Sequence, residues 1–410
     1  MLKRGPGQSA GEGGVCVGLK IPQATPAGHY VQVGEGQERY WAFIPNPLPP
    51  RLALDIELLG AISAADRAIG ELAGLSGMLP NPHLLVGPFV RREAVLSSRI
   101  EGTEADMEDL YEYEAETEGG VGEGGSAPPS DVREVLNYVR ALEFGLRRLE
   151  DIPLSLRLIR ELHQHLMAGV RGGGAAPGEF RQVQNWIGPP GCRPSETRFV
   201  PPPVPQMGEA LSNLEEYFHS DDDLPPLVRI ALIHYQFEAI HPFLDGNGRI
   251  GRLLIALLLV AWGILPLPLL YLSAYFERRR QEYYDLLLEV SQQGTWSRWL
   301  RFFLHGVAEQ SKLAIRHARL LQQLRGEYRR RVMRARRSAL LVKLVDELFR
   351  TPVVTVRKVE RLLGVSYRTA RNNIDRLVAL GILSEGVDRY RRKYYAGEIL
   401  RIVTSPQIES

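Results

Sequence analysis

The chain has 410 residues, 44% hydrophobic and 24% charged, with a formal charge of only +2, which suits a globular protein of two or three domains and excludes a fibrous or charge-extended one. Six lysines leave 44 of the 50 basic residues as arginine, a bias that reads as genome composition rather than function. Two cysteines, Cys16 and Cys192, exclude a disulfide framework and a four-ligand zinc site, and they fit a reducing cytoplasm.

In chain order, MLKRGPGQSAGEGG has no apolar stretch of the kind a signal peptide needs, and it reads as a flexible Gly-rich tail to about residue 30, with a lead-in to residue 48. Apolar residues at helical spacing predict helices over 51–78, 88–113, 132–150, 155–169, 206–219 and 226–241. AETEGGVGEGGSAPPS (115–130) reads as a mobile connector, and the linker is set at 116–131. FRQVQNWIGPPGCRPSETRFVPPP (180–203) reads as a β-hairpin, with Val183 and Ile187 before a Pro-Pro-Gly turn and Phe199-Val200 after it.

Leu253 to Phe276 is uncharged and long enough to span a bilayer, but Gly263, Pro266 and Pro268 interrupt it. A buried helix over 252–263, a loop and a second helix is the expectation, with no membrane as partner. Residues 313–337 read as a basic linker helix, with seven arginines from Arg325 to Arg337. In TVRKVERLLGVSYRTARNNIDRLVALGIL two short amphipathic helices meet at Gly364-Val365, Ser366 can cap the second and Gly381 can end it. LSEGVDRYRRKYYA adds two short strands around a turn. The predicted fold class is a mainly α core with a β-hairpin flap, followed by a small α+β winged helix over 338–410.

Most of the chemistry lies in HPFLDGNGRIGR, 241–252. Pro242 disfavours helical geometry at His241, so a helix ends there, and another starts near Arg249. Between them, glycines at a helix N-terminus offer free N–H groups to an anion. Arg249 and Arg252 lie three apart and can neutralise further phosphate charge. Asp245 is the only carboxylate of the loop, enough to hold Mg²⁺ together with phosphate oxygens and water. His241 can accept a proton near neutral pH. Cradle, metal, charge clamp and base together describe phosphoryl-type transfer.

HPFLDGNGRIGR resembles the HxFx(D/E)GNGRxxR signature of Fic-domain proteins at every position. LNYVRALEFG (136–145), PGEFR (177–181), FVPPPVPQM (199–207), EYYDLLLEV and GTWSRWLRFFL (up to 304) resemble flanking parts of that fold, which covers roughly 50–310. The resemblance implies a protein adenylyltransferase that moves AMP from ATP to a Ser, Thr or Tyr hydroxyl of a target protein. It implies His241 as base, Asp245 on Mg²⁺, Gly246, Asn247 and Gly248 around the phosphates, and Arg249 and Arg252 on the β- and γ-phosphates. The 182–199 segment would align the target chain by strand addition.

SSRIEG (97–102) is similar to the family's inhibitory (S/T)xxxE(G/N) helix, which implies that Glu101, helped by Ser97, pairs with Arg252 and removes a partner of the γ-phosphate. Arg279 departs from the family's usual asparagine on the nucleotide side, which opens the nucleotide preference. The division so read is 1–48, 49–115 with the inhibitory helix, 116–131 linker, 132–312 catalytic core, 313–337 basic helix and 338–410 winged helix.

In the C-terminal unit Arg368, Arg371, Asn372, Asn373 and Arg376, with Arg389, Arg391, Arg392 and Lys393, are types that contact bases and phosphates. DNA through residues 338–400 is therefore a partner to test, as is a homodimer. Two alternatives stay open: a DNA-binding regulator with a Fic sensor, and a Fic enzyme that removes AMP or uses another nucleotide. His163 and His165 face different sides of one helix and do not make a metal pair, and His234 reads as structural support for His241.

Overall fold

The computed structural model describes residues 24–78, 83–117, 129–170, 176–189, 191–335, 339–386 and 392–405. The fold is mostly helical with small antiparallel sheets, as expected. It starts earlier than expected, because a meander of β1 (Ala24–Thr25), β2 (Gly28–Val33) and β3 (Tyr40–Pro45) occupies part of what reads as tail and lead-in. Aromatic and β-branched residues in HYVQV and YWAFIP stabilise it, and the glycine at 28 is required because a Cβ there would lie 2.3 Å from the Ile44 carbonyl oxygen. Residues 1–23 lie outside the described residues, as does most of the 116–131 connector.

Helices follow: α1 (Ile56–Met78), α2 (His83–Ile100), α3 (Met107–Glu116), α4 (Ser130–Arg148), α5 (Leu156–Leu166) and α6 (Val204–His219). The helix expected over 88–113 is thus two. Gly102, at φ +99°, breaks it, and Asp106 starts α3 by accepting from the N–H groups of Glu108 and Asp109. That break places Glu101 at the free end of α2.

Next come α7 (Pro226–Ile240), α8 (Asn247–Ala261), α9 (Ser273–Arg278), α10 (Arg280–Gln293) and α11 (Trp296–Arg334). Helix α11 runs unbroken through 312–313, where a domain boundary is expected. α7 and α8 are apolar nearly all round and lie buried at the centre. Each fully buried Leu or Ile there contributes about 1.5–3 kcal/mol relative to exposure. The Trp299 indole donates to Ala231 O at 3.0 Å, and His234 bridges Gly251 O at 3.1 Å and the Tyr283 hydroxyl at 2.9 Å, which supports the reading of His234 as structural.

The 180–203 segment does not form a hairpin ladder. Among the described residues it makes one antiparallel bridge, Ile187 with Phe199, and Val200 O accepts from Phe43 N of β3 at 2.9 Å. Its prolines remove the donors a ladder needs.

The C-terminal unit contains α12 (Ala339–Leu348), β4 (Val353–Val354), α13 (Val356–Leu363), α14 (Tyr367–Ala379), β5 (Ser384–Glu385), β6 (Tyr394–Tyr395) and α15 (Gly397–Thr404), with strand order β4-β6-β5. Ser366 accepts from Thr369 N at 3.3 Å, and Gly364 and Gly381 take positive φ, as their positions require. A continuous apolar core joins this unit to the rest, from Ala27 to Val403. No helix among the described residues is long and apolar enough to cross a membrane.

Candidate active site

His241 caps α7 in the left-handed region, φ 49° and ψ 61°. For a residue with a Cβ this geometry is costly and survives only when its surroundings fix it. They do so through the His241 carbonyl, which accepts from Arg181 Nε at 3.1 Å and Asn185 Nδ2 at 3.2 Å. Arg181 is itself buried and also donates to Pro202 O at 2.6 Å, while its N–H reaches Pro242 O at 2.9 Å. Asn185 adds a bond to Phe243 O at 2.9 Å.

The imidazole Nδ1 lies 3.3 Å from the Glu238 carbonyl oxygen, which can only accept. Nδ1 therefore carries the hydrogen and Nε2 keeps its lone pair. Burial pushes the His241 pKa down to about 4, against the opposing pull of the Glu238 carbonyl and the charges of Glu101 and Asp245. The ring is neutral at pH 7 and competent to accept a proton.

The loop after His241 is braced from below. His163 accepts at Nδ1 from Gly178 N at 2.9 Å, so Nε2 carries its hydrogen and donates to Asp245 O at 3.0 Å. Its ring stacks on Phe243 with centroids 3.8 Å apart. His163 is thus a loop support. Asn247 exchanges two 2.8 Å bonds with the backbone of Phe243, so its side chain is committed to the loop and only its N–H is left for a ligand. Gly246 takes φ +79°, where a Cβ would also stand 3.0 Å from Met167 Sδ. The first N–H groups of α8 are free of helical partners and face an anion's place.

Asp245 is 54% exposed, and its Oδ1 receives Gly246 N at 2.6 Å and lies 3.7 Å from Arg249. A half-exposed lone carboxylate at this edge fits a Mg²⁺ site completed by phosphate oxygens and water. No cluster of three or more metal-binding side chains occurs among the described residues.

Both motif arginines are buried and both meet carboxylates. Arg249 donates to Glu134 at 2.9 Å, and the same Glu134 oxygen accepts from the Thr103 hydroxyl at 3.2 Å. Arg252 donates through Nε to Ser97 Oγ at 2.9 Å and through Nη2 to Ser97 O at 2.9 Å and Glu101 Oε1 at 2.6 Å. Burial opposes the Arg252 charge, and Glu101 more than offsets it, holding the guanidinium above its ordinary range. Burial likewise raises the Glu101 carboxyl, but Arg252 prevails and holds it below its usual range. A Cβ at position 248 would stand 2.3 Å from Glu101 Oε1. The Glu101 carboxylate therefore lies over the first turn of α8, where an anion would bind.

His241, Asp245, Arg249, Arg252, Ser97 and Glu101, all expected from the sequence, lie together in the structure. Arg181, Asn185 and Glu134 join them through partners distant in the chain, which leave no local pattern. Arg279 stacks over the Tyr275 ring at 4.2 Å and lies 3.4 Å from Glu309.

The C-terminal residues expected to meet DNA are partly committed elsewhere. Asn373 is buried, Lys393 pairs with Glu112 at 2.5 Å and Glu116 at 3.1 Å, Arg371 pairs with Asp375 at 3.0 Å, and Arg392 with Glu385 at 3.3 Å. Asn373 and Lys393 are therefore not placed to contact nucleic acid. Arg389 and Arg391 lie outside the described residues. Of the α11 arginines, Arg325 and Arg329 pair with Asp346 and Arg331 with Glu327.

Residues 59–147 match the family described as Fic/DOC family N-terminal, and residues 153–259 match the Fic/DOC family itself. The protein adenylyltransferase Fic of Drosophila grimshawi is 30% identical over 172 residues, 41% of this chain and 32% of its own length. The protein adenylyltransferase fic-1 of Caenorhabditis elegans is 30% identical over 190 residues, 44% of this chain and 32% of its own. The chain thus spans about a third of the length of the curated relatives it matches. Among solved structures, a Fic family protein from Desulfovibrio desulfuricans superposes with a TM-score of 0.53 at 19% identity, over 85% of this chain and 99% of that one, which speaks for the fold alone. The segment that matches the Fic/DOC family contains the whole 241–252 loop and the N-terminal match contains Ser97 and Glu101, so the site just described lies within the two regions similar to that family.

Proposed function

We propose that this protein transfers AMP from ATP to a hydroxyl of a protein substrate and that Glu101 holds the enzyme off. The observation that carries this reading is the neutral His241, with its Nε2 lone pair free, beside a helix N-terminus already covered by the Glu101 carboxylate. The names of the curated relatives support it.

In the proposed reaction the substrate hydroxyl oxygen bonds to the α-phosphorus, the bond from that phosphorus to the β-bridging oxygen breaks, and pyrophosphate leaves. The hydroxyl proton passes to His241 Nε2. Backbone N–H groups at the start of α8 and the side chains of Arg249 and Arg252 hold the negative charge of the phosphates. Asp245 would hold Mg²⁺, which when bound neutralises phosphate charge. Arg181 and Asn185 keep His241 in its strained geometry, and His163 and Asn247 keep the loop in register. While Glu101 occupies Arg252, the γ-phosphate lacks that partner and ATP does not seat productively.

The test uses ATP labelled at the α-phosphate with the full chain and lysate proteins as acceptors. Glu101→Gly should raise label five- to a hundredfold, the range of ordinary coupling energies. Adding His241→Ala should abolish it. Folded protein that gives no label in wild type and Glu101→Gly alike would overturn the reading.

A further inference from the structure

The last turn of α3 is completed by another part of the chain. A helix end leaves four carbonyls without intrahelical partners. Two of them are met by the C-terminal unit: Glu114 O accepts from Lys358 Nζ at 3.2 Å, and Ala115 O from the Thr355 hydroxyl at 3.3 Å. That same hydroxyl accepts from Lys358 N at 3.2 Å to cap α13, so one side chain ties two helix ends. Beside it Lys393, only 9% exposed, lies between Glu112 and Glu116, and Tyr395 donates to Glu112. Cations at a helix C-terminus are favourable in their own right. The acidic face of MEDLYEYEAE and this basic pocket are complementary in charge and in hydrogen bonding.

Helix α3 in turn holds the inhibitory segment. The Nε–H of Arg91 of α2 is shared between the two carboxylate oxygens of Glu114, at 2.8 and 3.0 Å, with both side chains largely buried. Between the helices, Thr103 N bonds Ser98 O at 3.1 Å, and the Thr103 hydroxyl reaches the Glu134 that also holds Arg249. Only residues 102–106 separate Glu101 from α3.

We infer that Lys393, Tyr395, Lys358 and Thr355 form a docking site for an acidic helix, filled here by the chain's own α3, and that an acidic helical segment of a partner protein displaces α3 and thereby loosens Glu101 from Arg252. The inference deepens the reading of Glu101 as inhibitor and rests on it for its effect on catalysis. Coupling is reciprocal: whatever frees Glu101 also opens the pocket.

The experiment uses the full chain with Glu112→Gln/Glu116→Gln, and separately Tyr395→Phe, which deletes one hydroxyl with little risk to folding. A synthetic peptide of residues 104–117 and a scrambled peptide of the same composition serve as probes. The native segment has a high effective concentration in cis, so the peptide is titrated against the double variant. Amide exchange over 97–103 reports the loosening without any catalysis, and α-labelled ATP reports activity.

Exchange should rise several-fold in the double variant and less in Tyr395→Phe, and label should rise roughly five- to tenfold. The 104–117 peptide should bind the double variant in preference to the scrambled one. Unchanged exchange in a folded double variant overturns the coupling. Equal binding of the two peptides overturns the acidic-helix site. Raised exchange with no label in any variant supports the docking site and sinks the proposed reaction instead.

Discussion

At the level of single residues, the site depends on side chains that hold backbone more than on side chains that touch a ligand. Arg181 illustrates this, since its guanidinium spans the carbonyls of His241, Val183 and Pro202. Replacing it by alanine removes donors from buried carbonyls and lets the αL residue relax. Misplacing a reactive group by about 1 Å costs on the order of a hundredfold in rate. Arg181→Ala should therefore lower kcat ten- to a hundredfold in the Glu101→Gly background and leave the KM for ATP within about threefold. Arg181→Lys should restore little, because lysine has no fork. Steady-state rates decide it, and a fall confined to KM would contradict the positioning role. The motif itself was legible because its residues are adjacent in sequence. Arg181, His163 and Glu134 were not read as parts of the site, because they lie 60, 82 and 115 residues from their partners and resemble ordinary polar positions.

At the level of elements, helical period is legible in the sequence and its interruptions are not. Helices α4 to α7 follow the apolar spacing within a few residues. The α2–α3 break was hidden because Ala105, Met107 and Leu110 continue an apolar period across it, although Gly102 and Asp106 are both break signals. The 180–203 segment has strand-like residues, but its turns and prolines allow only one bridge. Conversely, β2 and β3 were lost in a lead-in rich in glycine and proline. The α2–α3 break also supplies a test. Asp106 accepts at 2.8 and 2.9 Å from two N–H groups of α3, and Asp109 returns a bond to Asp106 N at 3.0 Å. Asp106→Ala should cost about 1 kcal/mol in urea unfolding, and Asp106→Ser much less. Equal midpoints for wild type and Asp106→Ala would show that the cap is dispensable.

For the molecule as a whole, one core runs through every unit, and several ionisable groups buried in or against it link its stability to pH. Burial lowers His163 and His241 to about 4 and His234 and His317 to about 3. An unfolded histidine titrates near 6.5, so between those values the unfolded chain binds more protons and stability rises with pH. This stabilisation is complete above about pH 6.5 and is lost as pH falls. Glu101, held low chiefly by Arg252 against the effect of burial, acts in the same direction below the usual carboxylate range. Glu238 has the opposite sign. Burial pushes it up to about 8, so the folded state keeps a proton that the unfolded state has released, and stability falls as pH rises from the carboxylate range to about 8. Glu93, also raised by burial, works with it. In the acid range these four histidines outweigh Glu238, and above about pH 6.5 Glu238 dominates until, near pH 8, Lys358, lowered by burial to about 8, begins to act in the opposite direction. Each uncompensated proton changes stability by about 1.4 kcal/mol per pH unit. The melting temperature should therefore peak near pH 6.5, drop steeply toward pH 5 and decline gently toward pH 8. Glu238→Gln, which cannot release a proton, should flatten the alkaline decline and leave the acid limb in place. A melting series from pH 4.5 to 8.5 on both chains measures it, and an unchanged alkaline slope in Glu238→Gln would remove Glu238 as its source.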